Sequence, residues 1–257
     1  TETSRRSKAY RSCLDKRMSL PLFQMKFPMF LTFAVLTTSS AFADELLFED
    51  NFNRKEADDS KEQVGDGWWT NSKRRAKGIK QIDLKNKALT ITTAKEADHA
   101  AVVKHDAPFD DGKASVRFRL HDKRGMSVNF IAPKCTSSHA GHISQVRIRP
   151  DKLIIEDAKT GIFDKRIREK RKAGAPKEEI AKLTKGKSAT STAKVALNTW
   201  HELTIEVKGD VLKVLIDGEA AGSLTSEGLD HPVKQNLAFS VPGSADIDDL
   251  KIWSSDQ

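Results

Sequence analysis

From Asp44 onward the chain beats with a period of two: apolar and polar residues alternate in short runs, and turn residues separate the runs. That beat constrains the fold more than any other feature, because it is the signature of half-buried strands. In Lys113–Leu120, Ala114, Val116, Phe118 and Leu120 share one face, with Ser115, Arg117 and Arg119 on the other. Met126–Phe130 and His142–Ile148 continue the pattern. Hairpins are spelled out between the runs. Thr204–Val207 and Val211–Ile216 flank Lys208-Gly209-Asp210, and Asp217-Gly218, a type I′ turn signal, leads into Glu219–Leu224. Val146–Arg149 with Leu153–Glu156, and Ile82–Leu84 with Ala88–Thr92, read the same way. Further strands are expected at Leu46–Phe52, Trp68–Asn71, Ala101–His105, Asn236–Val241 and Ile247–Trp253. About a dozen short strands at such spacing predict an all-β, two-sheet antiparallel sandwich.

Two segments depart from the beat. Residues 162–187 carry ten Lys/Arg against four Asp/Glu, with Pro176 ahead of Glu178 and Glu179 and a short Ile180/Leu183 stripe. They predict two short helices in a charged insertion. Its bland reading is a solvated excursion; its sharper one is a basic surface for anionic polysaccharide or a cell-envelope polyanion. Residues 1–43 read as targeting rather than fold: basic residues, the apolar run Phe27–Val35, then small residues ending Ala41-Phe42-Ala43. Within them, residues 1–17 read as an upstream extension, with Met18 or Met25 as the start of a signal peptide. The apolar run is shorter than the roughly 20 residues a membrane span needs. Together these predict a mature domain over residues 44–257, secreted, periplasmic or held at the cell envelope, and not membrane-spanning.

The leader also accounts for most of the charge. The chain has 44 basic and 36 acidic residues, net +8; without residues 1–43 they become 37 and 34, net +3. A nucleic-acid partner is therefore not expected. Cys135 would be the one cysteine of the mature chain, a thiol without an internal partner.

Four stretches together carry a resemblance: Leu47–Phe52 (LFEDNF), Gly67-Trp68-Trp69, Trp200–Gly218 (WHELTIEVKGDVLKVLIDG) and Ala245–Trp253 (ADIDDLKIW). The chain resembles a concanavalin A-like jelly roll of the laminin-G and laminarinase-type glucanase superfamily. More narrowly, it resembles exported bacterial proteins of the 3-keto-disaccharide hydrolase type found in planctomycetes. The resemblance implies paired first and last strands, two curved sheets, and sugars bound on the concave face or across its rim. It implies either a carbohydrate-binding protein or a glycoside hydrolase.

Hydrolysis of a glycosidic bond needs two carboxylates, about 5.5 Å apart for retention or roughly 6.5–9.5 Å for inversion. The laminarinase signature Glu-x-Asp-x-Glu is absent; Glu56–Glu62 comes nearest but has too many residues and no strand alternation. Glu202 and Glu206 share a face at a separation of about 13 Å, and Glu156 and Asp157 point to opposite faces. No catalytic residue is assigned. No cofactor is expected; the metal readings are structural Ca²⁺ at Asp246, Asp248 and Asp249 and, short of further ligands, zinc at His139 and His142. What the strands offer is a polar face. If the alternating apolar residues point inward, Arg117, Arg119, Asn129, Gln145 and Arg147 point outward together, with His121 and His142 on the rim and Trp68 as a stacking platform for a pyranose. These eight residues form the expected ligand site, for carbohydrate or polysaccharide. A merely solvated outer face is the competing reading.

Overall fold

The computed structural model describes residues 44–255. Residues 1–43, on which the leader, cleavage-signal and upstream-extension readings rest, lie outside the described residues.

Fifteen strands follow in order: β1 (Glu45–Asp50), β2 (Trp69–Thr70), β3 (Ile82–Lys85), β4 (Ala88–Thr92) and β5 (Ala101–Phe109). Next come β6 (Gly112–Leu120), β7 (Met126–Ile131), β8 (His142–Arg149), β9 (Lys152–Asp157) and β10 (Ser188–Thr192). The last five are β11 (His201–Lys208), β12 (Val211–Ile216), β13 (Glu219–Thr225), β14 (Lys234–Val241) and β15 (Ser244–Ser254). Three short helices interrupt them: α1 (Ser72–Arg75), α2 (Lys165–Lys172) and α3 (Lys177–Leu183). No helix among the described residues is long and apolar enough to cross a membrane.

The strands form two antiparallel sheets. The eight-stranded sheet runs β13-β12-β11-β6-β15-β4-β3, with β1 also paired to β15. The seven-stranded sheet runs β10-β9-β8-β7-β14-β5-β2. The termini pair as expected, Leu46 opposite Trp253 and Phe48 opposite Ile252, which covers two apolar edges. Asp217 and Gly218 both take positive φ, as a type I′ turn requires.

The inward residues meet as one core. Phe118, Leu120, Ile247 and Leu203 come from one sheet and Phe130, Ile148, Leu237 and Phe239 from the other, all buried. Phe109 packs edge-on to Phe130 at 5.2 Å between centroids. Two expectations on the organisation are refined. The strand Ser188–Thr192 was not expected, because its sequence SATST has no apolar beat; it adds the outermost strand of the seven-stranded sheet, on β9. The insertion begins with a tight turn at 158–162, capped by the buried Asp157, before its two helices.

The step from β6 to β7 decides where the functional residues go. These consecutive strands do not pair; β6 belongs to the eight-stranded sheet and β7 to the seven-stranded one. The connection His121–Gly125 crosses between layers. Gly125 sits at φ +73°, and a Cβ there would come within 2.0 Å of the Ile148 carbonyl oxygen, so the crossing needs glycine.

Candidate functional site: a cleft on the seven-stranded sheet

Because β6 and β7 lie in different sheets, the expected ligand face divides in two. Arg117, Arg119 and His121 lie on the outer side of the eight-stranded sheet; Asn129, Gln145, Arg147 and His142 lie on the outer side of the other. Alternation fixes inward against outward but carries no information on which layer a strand joins, so the single face expected from the sequence does not exist.

On the eight-stranded sheet the arginines are already occupied. Arg119 donates to Asp246 Oδ2 through Nε at 3.0 Å and Nη2 at 2.5 Å. His121 Nε2 donates to the same oxygen at 2.9 Å, while its Nδ1 lies 2.9 Å from Asn198 Oδ1. Thr90 Oγ1 supplies Asp246 Oδ1 at 2.8 Å. Arg117 pairs with Asp249 at 3.1 Å and Asp248 at 3.5 Å. Both guanidinium groups lie over the Trp200 ring, at 4.9 and 4.7 Å from its centroid. The three aspartates that the Ca²⁺ reading relied on thus hold arginines. Among the described residues no group of three or more His, Cys, Asp or Glu is arranged to hold a metal ion.

The seven-stranded sheet is different. One rung crosses it from β9 to β2: Glu156, Gln145, Asn129, Ala238, Lys104 and Trp69 stand side by side in register. Ala238 puts the shortest side chain at the middle of the rung, and a cleft of about 500 Å³ opens above it. Asn129 and Ala238 form its floor, both almost fully buried. One wall is Trp69 with Asn71, which precedes α1, and Arg74 and Arg75, which end it; the other is His139, His142 and Phe163. His142 reaches this face through a bulge in β8 that sets it opposite Ile131. Its ring stacks on Phe163 at 4.4 Å. Gln145 donates from Nε2 to Asn129 Oδ1 at 2.9 Å, which orients the two amides along the floor.

Trp68 does not line this cleft. It packs against the core, tilted on Phe52 at 5.6 Å, and its Nε1 donates to Asp50 Oδ2 at 2.8 Å. Its neighbour Trp69 is the exposed ring, 46% accessible, with the Lys104 ammonium 4.8 Å from its centroid. The adjacent pair announces one ring in and one out, but the deciding partner, Asp50, is eighteen residues away. Lys104 and Phe163 were also missed; Lys104 follows inward Val103 in β5, so its outward direction was readable while its layer was not.

The electrostatics of the cleft are one-sided. Arg74, Arg75, Lys104, His99, His139 and His142 line it, and no Asp or Glu among the described residues does. Burial, reinforced by the nearby His139, His99 and Arg168, pushes the His142 pKa down to about 4 and keeps its ring neutral near pH 7. Burial, with Arg168, Lys172 and Lys165 of α2, also lowers that of His139. The nearest carboxylate on the rung, Glu156, is buried beyond Gln145; burial raises its pKa, and Arg147 Nη2 donates to its Oε1 at 3.1 Å. Arg147 is thereby drawn away from the cleft. Asp106, the next outward carboxylate, sits on β5, four strand spacings from β9. At about 4.8 Å per spacing that is roughly 19 Å, twice the largest separation at which two carboxylates act on one glycosidic bond.

No protein-family model and no curated protein matches this chain. Solved structures do. SCLam, a non-specific endo-β-1,3(4)-glucanase of family GH16, is similar with TM-score 0.52 at 13% identity, over 82% of this chain and 91% of that one. LamA of Zobellia galactanivorans, solved with laminaritriose and laminaritetraose, gives 0.50 at 13%, over 81% and 98%. A CBM66 carbohydrate-binding module of Bacillus subtilis gives 0.46 at 12%, over 73% and 94%. At such identities the likeness to the two glucanases is one of fold: residues 44–255 form a two-sheet antiparallel jelly roll.

Proposed function

We propose that this jelly roll is an exported carbohydrate-binding protein and that the glycan lies in the cleft of the seven-stranded sheet, against Trp69 and over Asn129 and Gln145. The observation that carries the reading is the combination of an exposed aromatic wall, oriented amides on a deep floor and no carboxylate among the cleft-lining residues. An aromatic face covers the C–H face of a pyranose, and fixed amides meet its hydroxyls. Without two carboxylates at bond-flanking distance, acid–base hydrolysis lacks its reagents there, so binding is favoured over turnover of the 3-keto-disaccharide hydrolase kind. The leader-like residues 1–43 support export.

The test is retention on a panel of immobilised polysaccharides together with an assay for released reducing or keto sugar. Retention of at least one polysaccharide, reduced at least tenfold by Trp69→Ala and accompanied by no release, is the expected result, tenfold being about 1.4 kcal/mol of contact energy. Sugar release that disappears when Glu156 is changed to Gln would replace binding with catalysis.

A further inference from the structure

The cleft is basic, and the insertion extends that character beyond it. Arg74 is exposed and has no carboxylate partner among the described residues; Lys104 is held over Trp69 rather than by an acid. Arg75 alone of the cleft cations is paired, with Asp98 at 3.2 Å. On the far wall, Phe163 carries the Arg168 guanidinium 5.8 Å from its ring centroid, so α2 continues from the cleft edge. Lys165 and Lys172 of the same helix act with Arg168 on His139. Lys170, by contrast, is spent on Glu179, and Arg166 on Asp164. Unpaired cations thus line the cleft and continue along the part of α2 that borders it, as they do on other exposed parts of the chain such as α3. The cross-strand distance from Trp69 to Gln145 is about 19 Å, several saccharide units long.

Resting on the glycan reading above, we infer that the ligand is an acidic polysaccharide, whose carboxylates pair with Arg74 and Lys104 in the cleft and with Arg168 and Lys172 beyond the Phe163 wall. A neutral glucan would leave these cations solvated and gain nothing from them. An acidic chain uses them at a spacing that flat surface lysines do not offer, because Trp69 and the floor amides fix the sugar between them.

The probes are polygalacturonate, neutral laminarin and inorganic polyphosphate, titrated calorimetrically against the protein. Polygalacturonate binds at least tenfold more tightly than laminarin, and weakens at least tenfold from about 0.05 to about 0.3 M NaCl as screening grows. Arg74→Gln combined with Lys104→Gln abolishes that preference. Arg74→Lys retains it, and Lys213→Gln on the other sheet leaves it unchanged, which separates site charge from folding and from net charge. Equal affinity for polygalacturonate and laminarin would overturn the acidic ligand and leave the glycan reading standing. Polyphosphate bound as tightly as polygalacturonate, and indifferent to Trp69→Ala, would overturn it in favour of a general polyanion surface. Binding of none of the three, with no other polysaccharide retained, would remove the glycan reading itself.

Discussion

The two outer faces of this sandwich have similar ingredients and opposite states. On the eight-stranded sheet, Arg117, Arg119 and His121 meet Asp246, Asp248 and Asp249, and the two arginines lie over Trp200. On the seven-stranded sheet, Arg74 and Lys104 meet no carboxylate among the described residues, and Trp69, with Lys104 over its ring, is still 46% exposed. Arginine beside tryptophan is therefore not in itself a binding signature. What distinguishes a site is whether its charges and rings have been satisfied within the chain, since a paired group must first be released before a ligand can use it.

The largest effect that sharpens this contrast is on stability. Asp246→Ala removes the acceptor for Arg119, His121 and Thr90 and leaves a guanidinium stranded over Trp200. A loss of about 3 kcal/mol in urea unfolding is expected, with glycan affinity unchanged. A large affinity loss at unchanged stability would mean that the compensated face is the binding face. Second is pH. The folded-state pKa of His142, about 4, lies below the 6.5 of an unperturbed imidazole, so the unfolded chain takes up the proton first as pH falls. The stability linked to this group is complete above pH 6.5 and is lost as pH drops toward 4, by about 3 kcal/mol. His142→Phe keeps a ring on Phe163 and removes that slope; unfolding midpoints at the two ends of the window, for both proteins, read the difference directly.

Third, Trp69→Ala costs at least tenfold in affinity, about 1.4 kcal/mol, with stability changed by less than about 0.5 kcal/mol. Trp200→Ala does the reverse: it removes two guanidinium contacts, costs about 1–2 kcal/mol of stability and leaves affinity alone. The smallest effect is that of Arg117→Gln. Its pairs are solvent-exposed, and less than about 1 kcal/mol is expected in thermal unfolding.

Much of the fold was legible because it is written locally. The inward positions Val116, Phe118, Val128, Phe130, Val146 and Ile148 are all buried as alternation required. The Asp217-Gly218 turn and the pairing of the termini follow from two adjacent residues and from two apolar ends. The site was less legible, because it depends on distances along the chain that no local beat encodes. His121–Gly125 looks like a hairpin loop and is a crossing between layers, which sends Arg117 and Arg119 to one face and Asn129 and Gln145 to the other. Trp68 and Trp69 are adjacent in sequence, yet Trp68 packs on Phe52 and reaches Asp50 while Trp69 faces outward. Phe163, in a charged insertion, becomes a cleft wall only because β8 bulges to bring His142 beneath it.

The difference between the faces is tested most directly by the indole N–H resonances of Trp69 and Trp200 during titration with an oligogalacturonate. A saturable shift at Trp69 with Trp200 unmoved is the result this account predicts. A shift at Trp200 with Trp69 unmoved would contradict it.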